Sequence, residues 1–318
     1  MKIVVLDGYG ANPGDLDWAP FAALGDLEVY DRTNPEDVVA RSCQADILCV
    51  NKVLLTRNVL EQLPKLKYIT LFSTGVNVVD LACAAERKIP VSNIPAYSTE
   101  SVVESAVGHL LNLSARISES ANCVRAGDWS RSPDFCFWRG PLRELAGRTL
   151  GVVGYGSIGR RVAQVALALA MNVIAYGPRL TPGQNLDGVT AVSLADLFRT
   201  ADAVTLHCPL GAGNKAFVNR ELLASMKEGA LLVNTARGGL VDDQAVADAL
   251  NSGHLGGYGA DTLSSEPPAD DNPLITARNA WITPHIAWAT LESRQRLMDI
   301  AVANIKAFLA GTPQNVVS

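Results

Sequence analysis

Three short segments in the last third of the chain carry residues that could perform carbonyl and acid–base chemistry. The first ends on Arg237, directly after an apolar run, where an arginine can fork onto a carboxylate and a carbonyl oxygen. The second places two carboxylates, Asp261 and Glu266, just past another apolar run; one could accept a bond from an amide and the other could orient a histidine. The third presents His285 beside a proline-fixed turn, which suits a proton donor.

Each segment also has a plain structural explanation. An isolated arginine usually forms a surface ion pair, two neighbouring acids often form only an acidic turn, and a single histidine is more often a hydrogen-bonded core residue. The other histidines, His109, His207 and His254, lack an equivalent pattern of partners. The chemical interpretation therefore requires the three segments to meet at one place in the fold.

A glycine turn earlier in the chain predicts dinucleotide binding. An apolar strand is followed by Gly154, Gly156 and Gly159 in the spacing G-x-G-x-x-G, and then by a helix predicted over residues 160–170. The glycines permit a tight turn, a close approach of the backbone to a pyrophosphate, and close packing of helix on strand, while the helix N-terminus offers free N–H groups to phosphates. The turn residues predicted to bind the cofactor are Gly154, Tyr155, Gly156, Ser157, Ile158 and Gly159.

The strand after this helix leaves the choice between NAD and NADP open. An NAD site usually has an acid about 20 residues after the glycine turn, to bond the ribose hydroxyls. Here the strand ends on Tyr176, Gly177-Pro178-Arg179 follow, and no acid is present until Asp187. Either Arg179 pairs with a 2′-phosphate and NADP is preferred, or Arg179 points to solvent and both cofactors are accepted.

The elements that must position these residues alternate between strands and helices. This alternation predicts two α/β units with parallel sheets, in which ligands collect at the carboxyl ends of the strands. The predicted strands are residues 2–7, 45–50, 68–72 and 90–93 in the first unit, and 149–153, 172–176, 203–208, 230–235, 256–260 and 280–283 in the second. Each catalytic candidate follows one of the later strands.

A long helical pattern over residues 99–126 joins the two units, with Ser101-Val-Val-Glu104 as its candidate capping box. The segment 127–140 that follows is rich in aromatic residues and is predicted to be irregular. A last helix over residues 291–309 has no strand after it. It could pack back onto the first unit, which would make that domain discontinuous.

Bulk composition narrows the class of protein. The 318 residues are 48% hydrophobic and 19% charged, which suits a large core and about two domains. The formal net charge of -5 argues against a nucleic-acid partner. Neither a signal peptide nor a membrane span is recognisable, and no clustered set of ligands suggests a metal. Six scattered cysteines without a C-x-x-C pair favour free thiols, so we expect a cytoplasmic protein.

Taken in order, the glycine turn and the three segments resemble the D-isomer-specific 2-hydroxyacid dehydrogenase family. Its signature is an N-x-[AS]-R-G arginine, a D-x-x-x-x-E-P glutamate and a P-H histidine after a Rossmann turn, and all stand here in register over nearly the whole chain. The segment from Ser73 to Asp80 looks like the family's substrate-carboxylate loop. Residues 132–138, 144–147 and 285–290 look most like the glycerate dehydrogenases, also called hydroxypyruvate reductases.

This resemblance implies an α/β fold of two doubly wound parallel-sheet domains. A Rossmann NAD(P)-binding domain, residues 99–289, would be inserted into a flavodoxin-like substrate domain, residues 1–98 plus 290–318. It also implies an NAD- or NADP-dependent interconversion of a 2-keto acid and a D-2-hydroxy acid, with hydroxypyruvate or glyoxylate giving D-glycerate or glycolate as the leading case. Phosphoglycerate, D-lactate, formate and phosphite are the alternative substrates. A nicotinamide-sensing binding protein, like the corepressors related to this fold, is the alternative outside the enzymes.

The resemblance also assigns roles to residues. Arg237 would hold the substrate carboxylate and carbonyl oxygen, His285 would donate the proton, Glu266 would bond the far ring nitrogen, and no metal would be needed. The expected cofactor contacts beyond the two turns are His207, Cys208, Pro209, Thr235, Ala236, Asp261, His285 and Ala287. The expected substrate contacts are Val53, Thr74, Gly75, Val76, Trp138, Arg237, His285 and Trp288, with the N–H groups near Gly75 and Val76 on the carboxylate.

The family resemblance further implies a homodimer. The aromatic residues Phe135, Phe137 and Trp138 would then form an arm that reaches the neighbouring subunit, where Trp138 would enter the active site. Ordinary core packing of these aromatic side chains is the alternative.

Overall fold

A computed structural model describes all 318 residues, and the chain divides into two compact units. The first consists of Met1–Ser98 and Ala289–Ser318, and the second of Thr99–Trp288. Each unit is built on a predominantly parallel sheet with helices on its faces. The predicted fold class is therefore confirmed.

The sheet of the first unit has five parallel strands. They are β1 (Lys2–Val5), β2 (Asp26–Val29), β3 (Ile47–Val50), β4 (Tyr68–Leu71) and β5 (Val91–Ser92). Their order, β2-β1-β3-β4-β5, is the flavodoxin-like one. The strands β3 and β4 are buried at every position, which is why their sequences read as continuous apolar runs.

Four short helices, α1 (Ala19–Ala22), α2 (Val38–Ser42), α3 (Arg57–Glu61) and α4 (Leu81–Glu86), connect these strands. Their caps are local: the Thr56 hydroxyl accepts from the first turn of α3, and the Asp80 carboxylate does the same for α4. The strand β2 and the helix α1 were not predicted. β2 is an edge strand with no fully buried residue, so it lacks the apolar run that marks a central strand.

The sheet of the second unit has eight strands. They are β6 (Thr149–Val153), β7 (Asn172–Tyr176), β8 (Asn185–Leu186), β9 (Val189–Ala191), β10 (Ala203–Leu206), β11 (Ala230–Asn234), β12 (Leu255–Ala260) and β13 (Ala280–Ile282). Their order is β13-β12-β11-β10-β6-β7-β9-β8, and only β8 and β9 pair in an antiparallel sense. The chain turns from β6 to β7 on one side and reaches β10 on the other. The carboxyl end of β6 therefore lies at a topological switch point.

The helices of the second unit cover both faces of its sheet. They are α5 (Thr99–Ala115), α6 (Ile117–Arg125), α7 (Ser157–Ala168), α8 (Leu194–Thr200), α9 (Arg220–Ala224) and α10 (Asp243–Asn251). Apolar residues of α5 and α7 form one core with the sheet, and those of α8, α9 and α10 form another. The hairpin β8–β9 was not predicted, because two and three residues are too few to show a periodic pattern.

The single helix predicted over residues 99–126 is wrong. Arg116 adopts the left-handed conformation, with φ of 52°, and separates α5 from α6. Its guanidinium pairs with Glu119 and donates to Asn279 Oδ1 at 3.1 Å, while the Ser118 N–H donates to Asn112 Oδ1 at 2.8 Å. Contacts to another part of the fold thus fix a break that helical periodicity does not reveal.

The predicted capping box is wrong as well. The helix α5 begins at Thr99, so Ser101 lies within its first turn rather than before it. The Ser101 hydroxyl instead donates to the backbone carbonyl of Ala287. A serine near a helix start can serve either purpose, and only the neighbouring loop decides which.

The final helix, α11 (Leu291–Leu309), packs against β4 of the first unit. Phe308 stacks on Tyr68 with ring centroids 4.4 Å apart, and Asn304 Nδ2 donates to the Asn93 carbonyl at 3.0 Å. None of the helices combines the length and the apolar character needed to cross a membrane.

Candidate active site

The three chemically suggestive segments follow three neighbouring strands of the second sheet. In the parallel register, Asn234 of β11 lies beside Ala260 of β12, and Ala260 lies beside Ile282 of β13. Parallel strands place their carboxyl ends at one edge, so the segments carrying Arg237, Glu266 and His285 begin side by side. The requirement that the three segments meet in the fold is thus satisfied.

His285 and Glu266 form a close pair at this edge. The imidazole Nδ1 lies 2.6 Å from Glu266 Oε2, and Glu266 Oε1 accepts from the Leu263 N–H at 3.1 Å. Both side chains are about one-third exposed, which leaves the pair reachable from solvent. Because Nδ1 faces a carboxylate, the other ring nitrogen, Nε2, is the one available to a reacting atom.

The backbone of His285 is strained and is held by a buried carboxylate. His285 has φ of 53°, a region that residues with a β-carbon seldom adopt. Asp261, 1% exposed, accepts from the Thr283 hydroxyl at 2.6 Å and from the N–H groups of Ile286 and Ala287 at 2.9 and 2.7 Å. These three bonds compensate the burial of the charge and fix the loop on both sides of the histidine.

The helix α5 supports the same loop. His109 Nε2 lies 3.3 Å from the Thr283 hydroxyl, and Ser101 reaches the Ala287 carbonyl. Burial lowers the pKa of His109, with Asp261 opposing that shift. Sequence reasoning assigned no role to His109 or Thr283 and gave Ser101 only a capping role, because the partners of all three are remote in the chain.

The loop that carries Arg237 is shaped by the last residue of β11. Asn234 Oδ1 accepts from the Ala236 N–H at 3.1 Å, and its Nδ2 donates to the Arg237 carbonyl at 3.0 Å. A β-carbon on Gly238 would lie 1.9 Å from the Leu263 carbonyl carbon, so only glycine fits there. The close approach brings the Arg237 loop into backbone contact with the loop that leads to Glu266.

The Arg237 guanidinium has no acidic partner within the chain. The side chain is exposed, and its Nη1 donates to the neighbouring Ala236 carbonyl at 2.7 Å. It forms no ion pair with a carboxylate of the chain, so the surface ion-pair alternative does not hold. A guanidinium free of an acid partner retains most of its donors for an anionic ligand.

The glycine turn has the geometry that a pyrophosphate requires. Gly154 has φ of 96°, and a β-carbon there would lie 2.6 Å from the Cys208 N atom; one on Gly159 would lie 2.1 Å from the Gly154 carbonyl oxygen. Gly156 faces open space, and as the N-cap of α7 it leaves the first N–H groups without a side-chain cap. Free N–H groups behind an open approach fit a phosphate ligand.

Two further predicted segments flank this turn. Val153 of β6 lies beside Tyr176 of β7 and Leu206 of β10, so the segments Gly177-Pro178-Arg179 and His207-Cys208-Pro209 emerge at the same edge. Further along this edge, the buried hydroxyl of Thr235 has no hydrogen-bond partner in the chain. An orphaned polar atom at this edge also fits a bound ligand.

His207 is held as a neutral imidazole. Its Nε2 lies 2.9 Å from the Thr205 hydroxyl, and desolvation of the ring lowers its pKa to about 4. At neutral pH the His207 ring is therefore uncharged and can act only as a hydrogen-bonding dipole at the sheet edge that carries the glycine turn.

In the first unit, the loop after β4 leaves two N–H groups without partners. The Ser73 hydroxyl donates to the Gly75 carbonyl and the Thr74 hydroxyl to the Ile94 carbonyl, each at 2.7 Å. The backbone N–H groups of Gly75 and Val76 donate no hydrogen bond within the chain. Such a pair of unpaired donors is suited to an anion.

The loop after β3 is anchored by a residue that the sequence did not reveal. Asp7 Oδ1 accepts from the Asn51 N–H at 2.8 Å, and Asp7 Oδ2 accepts from Lys52 and Val53 at 2.5 and 3.1 Å. An aspartate after a first strand is unremarkable in sequence. Its role emerges only because β1 and β3 are neighbours in the sheet.

The aromatic segment after α6 lies largely on the surface. Phe135 is 90% exposed and Trp138 is 65% exposed, so core packing is wrong for these two side chains. Other exposed apolar residues of α5, α6 and the segment that precedes β6 are Leu111, Ile117, Val124, Trp129 and Leu142. No group of three or more His, Cys, Asp or Glu side chains is arranged to hold a metal ion.

Comparison with known proteins identifies the class to which this geometry belongs. The model of the D-isomer specific 2-hydroxyacid dehydrogenase NAD-binding domain matches residues 107–287. A hydroxypyruvate reductase of Blautia hydrogenotrophica is 46% identical, with both chains covered completely. A glycerate dehydrogenase of Methylorubrum extorquens is 43% identical over 91% of this chain and 90% of its own.

A solved structure shares the fold over the whole chain. An acyclic imino acid reductase in complex with NADPH and D-arginine superposes with a TM-score of 0.86, at 30% identity, with both chains covered completely. The chain thus belongs to the D-isomer-specific 2-hydroxyacid dehydrogenase family. It is an oxidoreductase of 2-hydroxy acids that uses NAD or NADP, as its sequence predicted.

Proposed function

We propose that this enzyme reduces hydroxypyruvate to D-glycerate, with glyoxylate as a second substrate. The observation that carries the proposal is the His285–Glu266 pair at 2.6 Å, on the same sheet edge as the unpaired Arg237. The choice of substrate is supported by the hydroxypyruvate reductase and the glycerate dehydrogenase to which the chain is 46% and 43% identical.

Arg237, His285 and Glu266 have separate roles in the reduction of the substrate carbonyl group. When bound, a reduced nicotinamide supplies the hydride. Arg237 holds the carboxylate and the carbonyl oxygen of the 2-keto acid and draws charge onto that oxygen. His285 donates its Nε2 proton to the same oxygen as the carbon is reduced, and Glu266 stabilises the imidazolium that exists before the transfer. The neutral imidazole then takes a proton from solvent, which completes the balance.

The remaining site residues complete the proposal. The unpaired N–H groups of Gly75 and Val76 bind a substrate carboxylate oxygen, and Val53, Thr74 and Trp288 contact the rest of the substrate. The first unit is then the substrate domain and the second the cofactor domain. The predicted cofactor contacts along the second sheet, with Asp261 and Ala287 among them, belong to the same proposal.

We also propose a cytoplasmic homodimer. The exposed aromatic segment around Trp138, with the apolar residues of α6, forms a surface that a second copy would cover. All six cysteines are free of disulfides, which agrees with a reducing compartment. Light scattering tests the dimer: a mass near 33.7 kDa, that of one chain, would contradict it.

The substrate assignment is tested with a panel of acids. Loss of NADH and of NADPH absorbance is followed with hydroxypyruvate, glyoxylate, pyruvate and 3-phosphohydroxypyruvate, each over a range of concentrations. We expect the highest kcat/KM with hydroxypyruvate, and D-glycerate as its product. A higher kcat/KM with pyruvate or with 3-phosphohydroxypyruvate would make that acid the assigned substrate in place of hydroxypyruvate. Cofactor binding without turnover of any acid would favour a nicotinamide-sensing protein.

A further inference from the structure

The buried histidine of α5 carries an inference about the proton donor. We propose that His109 is a positioning residue for His285. It acts through Thr283 and Asp261, which hold the backbone on both sides of the proton donor. The inference rests on the proposed function, because it takes His285 as the proton donor. The conformation of the His285 loop can nevertheless be measured without turnover.

The helix α5 approaches the strand β12 closely at His109. Gly257 and Gly259 lie on one face of β12, because side chains alternate between the two faces of a strand. A β-carbon on Gly257 would lie 2.7 Å from Leu113 Cδ2, and one on Gly259 would lie 2.8 Å from His109 Cβ. His109 and Leu113 are four residues apart and share a face of α5. The absence of two side chains from β12 thus makes room for the histidine against the sheet.

The polar groups beyond the imidazole form one directed series of hydrogen bonds. A carboxylate can only accept, so the Thr283 hydroxyl donates its single proton to Asp261 Oδ1 at 2.6 Å. The Ala260 carbonyl, 3.4 Å from the same hydroxyl, is the weaker acceptor. The Thr283 oxygen is then free to accept from His109 Nε2, which lies 3.3 Å away. The proton of the neutral His109 ring is therefore assigned to Nε2.

Burial makes this series important to the fold around it. His109 is 7% exposed and Asp261 is 1% exposed. Desolvation lowers the pKa of His109, and the charge of Asp261 opposes that shift only in part, so the ring is neutral at neutral pH. Hydrogen bonds between buried groups are stronger than those in water, and loss of one partner leaves the other unsatisfied.

Asp261 connects this series to the loop of the proton donor. Its carboxylate also accepts from the N–H groups of Ile286 and Ala287, at 2.9 and 2.7 Å, directly after His285. His285 has φ of 53°, which a residue with a β-carbon keeps only where its surroundings hold it. Any group that fixes the orientation of this carboxylate therefore also fixes the imidazole of the proton donor. The Thr283 hydroxyl, oriented by the histidine of α5, is such a group.

Four substitutions separate this hydrogen bond from simple packing. His109→Gln places an amide donor at the distance of the imidazole Nε2. His109→Asn is the matched control, because its amide is too short to reach Thr283. His109→Leu keeps an apolar side chain without a donor, and Thr283→Val removes the hydroxyl from the same series. Circular dichroism and the unfolding temperature show which variants are folded.

Two kinds of measurement are made on each folded variant. Hydrogen exchange followed by mass spectrometry reports on the peptide that contains Ile286 and Ala287. The peptide that contains Ala236 is the internal reference, because that N–H is held by Asn234 and not by Asp261. Steady-state kinetics with hydroxypyruvate give kcat, KM and the solvent deuterium isotope effect on kcat, which reports on the proton transfer.

We expect His109→Leu, His109→Asn and Thr283→Val to speed exchange at residues 286 and 287 by about tenfold, the value of one hydrogen bond, with the reference peptide unchanged. The value of kcat should also fall about tenfold, with a larger solvent isotope effect and little change in KM. His109→Gln should recover exchange, kcat and the isotope effect. A double variant, His109→Leu with Thr283→Val, should lose little more than either single one, because the two residues act in one series.

Unchanged exchange or unchanged kcat in the folded leucine variant would overturn the inference. So would a glutamine variant without recovery, or faster exchange that includes the reference peptide, since the imidazole would then only fill space. If His109→Leu does not fold, His109→Asn and Thr283→Val decide by the same criteria. If the wild type turns over no acid, but exchange at residues 286 and 287 rises in the leucine variant and recovers in the glutamine variant, the proposed function fails and the positioning inference stands.

Discussion

The carboxyl edges of the two sheets differ in which groups are left without a partner: backbone N–H groups at the first edge and side-chain groups at the second. At the first edge, side chains such as Asp7, Ser73 and Thr74 bond to loop backbone, and the free groups are the N–H groups of Gly75 and Val76. At the second edge, the loops are fixed by close backbone contact and by buried hydrogen bonds, and the free groups belong to side chains, the Arg237 guanidinium and Nε2 of His285.

In the proposed mechanism, this difference assigns anion binding to the first edge and proton transfer to the second. Backbone N–H groups can bind an anion, but they cannot transfer a proton at neutral pH. Side chains can do both, provided that their loops are held in one conformation before the substrate arrives. The contrast predicts that substitutions at the second edge affect turnover, and that those at the first edge affect only substrate affinity.

The largest effect should come from His285→Ala. Removal of the proton donor should reduce kcat by about 10²- to 10⁴-fold, the usual contribution of general acid catalysis. Cofactor affinity should change little, as measured by quenching of protein fluorescence with NADPH or NADH. His285→Gln is the matched control for size. Unchanged turnover in either variant would remove His285 from the mechanism.

Arg237→Ala should follow, with a loss of about 10²- to 10³-fold in kcat/KM, because one group both binds the carboxylate and polarises the carbonyl oxygen. Arg237→Lys keeps the charge without the fork and should recover only part of this loss. Steady-state kinetics with hydroxypyruvate measure both. Full activity of the lysine variant would show that charge alone suffices.

A smaller, pH-dependent effect should come from His207. Its folded pKa, about 4, lies below the ordinary value of 6.5, so the unfolded chain binds more protons between these limits. Stability should therefore fall as the pH falls from 6.5 to 4, by about 3 kcal/mol from this residue, at about 1.36 kcal/mol per pKa unit. His207→Gln should flatten this part of the profile of unfolding temperature against pH. Parallel profiles of variant and wild type would refute the assignment.

The smallest effect should come from the first edge. Val76→Pro removes one N–H donor and should raise KM for the keto acid about tenfold, the value of one hydrogen bond to a charged group, with kcat and cofactor affinity nearly constant. Val76→Ala keeps the N–H and should behave as the wild type. Circular dichroism confirms that the Val76→Pro variant is folded. If the folded variant loses kcat instead, the proposed division between substrate affinity at the first edge and turnover at the second is wrong.

Much of the site could be predicted because its residues follow strands. The turn at Gly154 and the ends of β11, β12 and β13 are marked by apolar runs that stop at a polar or glycine residue. The supporting residues could not be predicted in this way. Asp7, Ser101 and His109 bond to groups far along the chain, and no local spacing reports such a partner.

The sequence by itself determined the alternation of strands and helices, the dinucleotide turn, and the identity of the groups that could polarise and protonate a carbonyl. These are local properties, set by hydrophobic period, by glycine geometry and by side-chain chemistry. Only the tertiary structure decided that the helix after the first unit breaks at Arg116, and that Asp261 holds the His285 loop. Both depend on hydrogen bonds between segments that the sheet brings together, and no residue pattern within either segment contains that information.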